Sequence, residues 1–117
     1  MYVRWQSRPR KRTGSPLLTA VLVESHRVDG KPRQRTVAYL GAIREVRIGS
    51  KHQRHHERFW NSVDARLDEL GLDPYVRANI ETSIAARVTR VTAENQAEFD
   101  AASARHSREI SADLDRI

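Results

Sequence analysis

Residues 2–5, Tyr-Val-Arg-Trp, mix apolar and polar side chains as a short strand does, and a charged stretch containing proline and glycine follows at 7–16. That break is expected to be a flexible arm. Leu and Val then dominate residues 17–28 up to Asp29-Gly30, and residues 31–40 return with Thr36, Val37, Tyr39 and Leu40 ahead of Gly41. Asp-Gly between two such runs signals a hairpin, because a type I′ turn requires positive φ at both central positions. Counting outward from a two-residue loop pairs Val28 with Lys31, His26 with Arg33, Glu24 with Arg35, Leu22 with Val37 and Ala20 with Tyr39. The base of this hairpin is apolar and its tip is charged, with Glu24 opposite Arg35 as a cross-strand ion pair. Pro32 makes the second strand edge-like at its start.

Residues 42–48 fit either a further strand or an irregular connection. Beyond Gly49 the period lengthens. Ser50 with Gln53 has capping-box spacing, Phe59, Trp60, Val63, Leu67 and Leu70 recur at steps of three or four, and Gly71 stands where a helix ends. A helix over 51–70 follows. Asp73 as N-cap and Pro74 at the first helical position open a second, with the stripe Val76, Ile80, Ile84, Val88 and Val91. The joint between them is short, so the two should lie antiparallel. Thr92 is placed to cap a third helix over 93–115, whose stripe of Phe99, Ala102 or Ser103, His106, Ile110 and Leu114 is thin. The pattern predicts an α+β domain over 1–117: a basic antiparallel sheet within 1–48, with its hairpin at Asp29-Gly30, then three helices within 50–117, the antiparallel pair of the first two covering one sheet face.

Charge divides along the same line. Residues 1–58 carry fourteen Lys or Arg against four Asp or Glu, while the remainder carries seven against eleven; the whole is +6. Such a front half suits a polyanion. Eighteen of the 21 basic residues are Arg, which suits bidentate contacts to phosphate and guanine. No cysteine is present, which removes thiol chemistry and disulfides, and no apolar run approaches the roughly 20 residues of a membrane-spanning helix. A cytoplasmic protein with no membrane partner is the expectation.

Three basic clusters are candidates for nucleic acid. Arg8, Arg10, Lys11 and Arg12 form an arm suited to a phosphate backbone or a minor groove. Arg27, Lys31, Arg33 and Arg35 sit on a two-stranded ribbon of a size the major groove admits, with Gln34 and Arg35 able to meet base edges. Lys51 and Arg54 join His52, His55 and His56 at the start of the first helix, where phosphate contact should strengthen as imidazoles protonate below about pH 6.5. His52 and His56 share a helix face, but no third ligand follows, so a metal is not expected. Trp60 and Phe59 have core spacing, and Trp5 and Tyr39 are expected to pack between sheet and helices. Asp64, Asp68 and Glu69, like Glu109, Asp113 and Asp115, alternate with Arg at helical spacing and read as solvated faces. With no phosphate loop, GxSxG or HExxH, neither a reaction nor a cofactor is expected.

The Tyr2-Val3-Arg4 opening and the run from Val23 to Gly41, with RVDGKPRQRTVAYLG at 27–41, resemble the N-terminal segment of IS4-type insertion-sequence transposases, the IS1634-like group especially. The resemblance covers residues 2–41 and implies a β-hairpin and association with DNA transactions. In that family a catalytic domain bearing an Asp, Asp, Glu triad follows. This sequence shows no counterpart of it, so that chemistry is not carried over. The leading expectation is a non-enzymatic nucleic-acid-binding accessory protein, DNA before RNA, gripping phosphates through arm, hairpin tip and helix start, with a homodimer through the last helix as an option. The alternative is a phage- or plasmid-type modulator of a nucleic-acid machine acting through its helical half. A third is a transposase front end with a separately acquired helical tail.

Overall fold

A computed structural model describes residues 1–9 and 14–115, with side chains through residue 105. The chain runs β1 (Tyr2–Arg8), β2 (Leu17–Val28), β3 (Lys31–Arg44), α1 (Glu45–Gly49), α2 (Gln53–Leu70), α3 (Pro74–Ala85) and α4 (Gln96–Asp115). This is an α+β fold, a three-stranded antiparallel sheet in the order β1-β2-β3 followed by helices. β2 is central because its Val- and Leu-rich stretch offers a ladder to both neighbours. β1 therefore runs past the expected strand, and Ser7 and Arg8 pair with Leu18 and Leu17 instead of joining the arm.

Asp29 at φ 53° and Gly30 at φ 76° make the left-handed turn between β2 and β3. Near the turn, Val28, His26 and Glu24 face Lys31, Arg33 and Arg35 as the count from the loop predicts. Farther out the register moves. Leu22 faces Ala38 and Ala20 faces Gly41, with shifts at Leu22/Val23 and Ala20/Val21 that insert Val37 and Leu40 as extra residues on β3. Each one-residue slip exchanges the faces of the strand. Unbulged pairing would turn Tyr39 toward the helices and Leu40 to water; instead Leu40 is fully buried and Tyr39 is 57% exposed. The expectation that Tyr39 packs under the helices is thereby corrected.

The core lies on one side of the sheet. Ala20, Leu22, Leu40 and Ile43 meet Phe59, Trp60, Val63 and Leu67 of α2 and Ile80 and Ile84 of α3, with Val3 and Trp5 packed against them. Trp5 stacks on Phe59 at 6.1 Å between centroids, the contact expected between strand and helix. A Cβ on Gly41 would stand 3.1 Å from a ring carbon of Phe59 and 3.2 Å from its carbonyl oxygen, so glycine permits this close approach of β3 and α2.

Residues 42–48 complete β3 and then form α1. That helix takes Ser50 as its C-cap, and Lys51 at φ 49° turns the chain before α2. The expected capping box does not form: His52 is the N-cap of α2 and its side chain does not cap the helix, and Gln53 pairs with Glu57 and Gln96 instead. Gly71, φ 59°, ends α2, and the Asp73 carboxylate accepts the Tyr75 N–H at 2.9 Å to open α3. Arg77 reaches back to Asp68 while Trp60 donates to the Val88 carbonyl at 2.9 Å, so α3 retraces α2 in the opposite direction. α3 stops at Ala85, short of Val91, where α2 side chains take up the next carbonyls: Trp60 that of Val88 and His56 that of Thr89. Thr92 and Asn95 then exchange side-chain-to-backbone bonds at 2.7 and 3.3 Å and α4 starts at Gln96. Phe99 packs edge-on to His56 at 5.1 Å. The expected contacts of His106, Ile110 and Leu114 lie outside the described side chains.

Candidate nucleic-acid interface

β1 begins opposite Val23, so beyond that point β2 and β3 have only each other, and residues 25–36 are exposed throughout. The outcome is a free-standing β-ribbon whose two faces both meet solvent. Alternation sorts its side chains. Ser25, Arg27, Pro32 and Gln34 lie on one face, and Glu24, His26, Val28, Lys31, Arg33 and Arg35 on the other. Glu24 pairs with Arg35 at 3.6 Å; exposed to this degree the pair contributes about 0–1 kcal/mol and leaves Arg35 able to exchange partners.

The ribbon's first face continues into the side of the sheet opposite the one on which α2 and α3 pack. From the ladder, that outer face carries Tyr2, Arg4, Gln6 and Arg8 of β1, Thr19, Val21 and Val23 of β2, and Thr36, Tyr39, Ala42 and Arg44 of β3. Val21 and Val23 are 0% and 2% exposed although they point away from the core. On the same face Arg4, paired across the ladder with Val21, reaches diagonally over the sheet to Gln34, 3.4 Å from its side-chain oxygen. Sequence reading missed Arg4 and Arg44. The signal that would have found them is the pairing of β1 with β2, which has no local marker.

Arg8 closes β1 at the end of the sheet opposite the ribbon, ten residues along β2 from Arg27, or about 33 Å. Arg10, Lys11 and Arg12 lie outside the described residues. Lys51 and Arg54 belong to the helical layer, on the other side of the sheet from Arg8 and Arg27. Lys51 is bound to Glu98 at 2.6 Å, and its ammonium holds the exposed Glu98 carboxyl below the usual range; Arg54 is exposed. Lys51, Val46, Arg47, His52, Ala102 and Ser103 line a groove of about 400 Å³ between α1 and α4.

The histidine cluster divides. His56 is buried with Nδ1 2.9 Å from the Thr89 carbonyl and Nε2 3.2 Å from that of Arg47, a structural clamp facing away from solvent. His55 meets His52 edge-on at 4.5 Å, and burial, then His52, Arg47, Arg58 and Arg54, hold its pKa below the ordinary histidine value. Protonation-driven phosphate binding at His55 therefore requires more acid than the sequence suggests. Among the described residues no three His, Cys, Asp or Glu side chains are grouped to hold a metal, and no described helix is long and apolar enough to cross a membrane.

Acidic side chains of the helices meet guanidinium groups. Asp64 takes two bonds from Arg90, both 2.9 Å, which outweigh its burial and lower its pKa; bonds to Asp64 and to Asp68 respectively raise Arg90 and Arg77. Glu69 pairs with Arg66 and Glu81 with Arg77. These carboxylates engage Arg66, Arg77 and Arg90, while Arg47, Arg54, Arg58 and Arg87 of the helical layer, like the arginines of the outer face and ribbon apart from Arg35, have no ion pair among the described residues.

Neither a curated protein nor a solved structure matches the chain. Residues 7–109 match the family described as IS1634 family transposase, N-terminal domain. The match runs from the end of β1 through α2 and α3 into α4, far beyond the 2–41 of the sequence resemblance. The helices are thus part of the same module as the hairpin, contrary to a separately acquired tail. Sheet, projecting ribbon and helical layer together make this chain a member of the IS1634 transposase N-terminal domain family.

Proposed function

We propose that the chain is a duplex-DNA-binding module of an IS4-type transposition system, one that recognises DNA without cutting it. The observation that carries the reading is the ribbon: residues 25–36 project with both faces exposed and bring Arg27, Lys31, Arg33 and Arg35 to a structure of the width the major groove accepts. Residues 25–36 of the hairpin are all exposed, so its cations are not held by packing. Family membership supports the same direction, because a transposase's N-terminal domain has DNA as its natural partner. Phosphate contacts supply most of the affinity, with Arg10, Lys11 and Arg12 adding to them by charge, and Gln34 on one ribbon face or Arg35 on the other is the candidate for base edges.

The test is anisotropy titration of a labelled random duplex at a series of salt concentrations. Four ribbon cations on phosphate give a log K against log salt slope of about −3.6 from the ribbon alone. Replacing Arg27, Lys31, Arg33 and Arg35 by alanine should remove that share of the slope. Salt-insensitive binding, or binding unchanged in the fourfold variant, refutes the proposal.

A further inference from the structure

We infer that the uncovered face of the sheet is a second DNA contact surface, which takes the phosphate backbone of the duplex next to the segment held by the ribbon. The inference rests on the DNA-binding reading above and extends the footprint from the hairpin to the sheet. Its first support is composition by register: Arg4, Arg8, Arg27 and Arg44 share this face with Gln6, Gln34, Tyr2 and Tyr39, and the ladder puts no Asp or Glu on it. Arginine, glutamine, tyrosine and threonine are the side chains that donate to phosphate oxygens.

The second support is the absence of acids on this face, whereas in the opposite layer cations and carboxylates are interspersed, with Arg66, Arg77, Arg90 and Lys51 paired to acids and Arg47, Arg54, Arg58 and Arg87 not. The four arginines of the outer face have no carboxylate partner among the described residues. Four cations on a face without acids, in a domain whose acids lie elsewhere, make a directional field for a polyanion.

The third support is construction. Val21 and Val23 form a buried apolar floor under the polar groups, and Arg4 is already laid across it to Gln34, so less side-chain freedom is lost on binding than from a free surface arginine. Arg27 stands about 33 Å along β2 from the Arg8–Arg44 rung, close to one turn of B-DNA. A second copy of the chain is a poor occupant because it would set arginine against arginine. A protein partner needing apolar contact would find, among the described residues of this face, two exposed tyrosines and the small Pro32 and Ala42, set among arginines.

The experiment compares the wild-type chain with the triple variant Arg4→Ala/Arg8→Ala/Arg44→Ala on a random duplex of about one and a half turns and on its separated strand. Without these three guanidinium groups on phosphate, the slope should become shallower by about 2.7 and the affinity at 0.1 M salt should fall roughly a hundredfold or more. The variant with lysine at the same three positions should keep the slope. Because Arg8 and Arg44 lie at the sheet's end, the double variant Arg8→Ala/Arg44→Ala, expected to lower the slope by about 1.8, serves if the triple variant fails to fold. Normal duplex binding by the wild type with an unchanged slope in the triple variant overturns this inference and leaves the ribbon reading intact. Absence of any wild-type binding overturns both. Tighter binding of the single strand, abolished in the triple variant, overturns the duplex as occupant of this face.

Discussion

Replacing Arg90 with lysine separates charge from geometry in the helical layer. Arg90 donates two bonds to Asp64 at 2.9 Å, lies with its guanidinium carbon 4.0 Å above the Trp60 ring, and stands 3.7 Å from Glu81. Lysine keeps the positive charge and most of the reach. It cannot form the parallel pair of bonds or lay a planar cation on the indole. With side chains 36% and 34% exposed, solvent screening reduces the second charge-assisted bond to about 1 kcal/mol, and the missing stacking adds about 0.5–1 kcal/mol. The expected destabilisation is about 1.5–2 kcal/mol, or a fall in Tm of about 5–8 °C for a domain of this size. Urea denaturation followed by far-UV circular dichroism at pH 7 measures it, with Arg90→Gln as the reference for full loss of charge. If attraction alone held the layer together, lysine would match the wild type and only glutamine would unfold it. A lysine variant within about 0.3 kcal/mol of wild type therefore refutes the reasoning. Because Arg90 lies across the sheet from the outer face, DNA affinity of the folded lysine variant should stay at the wild-type level.

Gly41→Ala forces a methyl group to 3.1 Å from the Phe59 ring and should cost about 1–3 kcal/mol in chemical denaturation, part of it recovered when Phe59 is also shortened to leucine. Asp73→Ala removes the carboxylate that caps α3 and should cost about 1 kcal/mol by the same measurement, while Asp73→Ser should cost less. Stability should fall in two steps on acidification. His55 has a pKa below its unfolded value, so the unfolded chain binds the proton first and stability declines as pH drops through about 6.5; His55→Gln should abolish this step. Asp64 also has a lowered pKa, so its contribution is complete above about pH 4 and is lost as pH falls toward the folded value; Asp64→Asn should remove the second step.

What was legible from sequence has a local cause. Asp29-Gly30 specifies the turn because few residues tolerate positive φ there, and the register counted from the loop holds as far as Glu24 and Arg35. Gly71, Asp73 and Pro74 mark a helix end and a helix start through backbone conformation and a single side-chain bond, and the spacing of Phe59, Trp60, Val63 and Leu67 fixes the buried face of α2. Tertiary structure decided what depends on residues far apart in the chain. The bulges at Val37 and Leu40 exist because β3 must bury Leu40 against α2 and still keep pace with β2, and they turn Tyr39 outward. Ser50 caps α1 instead of α2, and α3 ends where Trp60 and His56 draw off the carbonyls of Val88 and Thr89. Among the candidate cations, the sequence marked the ribbon, because its residues follow the turn by simple alternation. It did not mark Arg4 and Arg44, whose shared face comes into being when β1 docks against β2, bringing Arg4 beside Val21 and Arg8 beside Leu17, and the acids of the helices are drawn to other arginines.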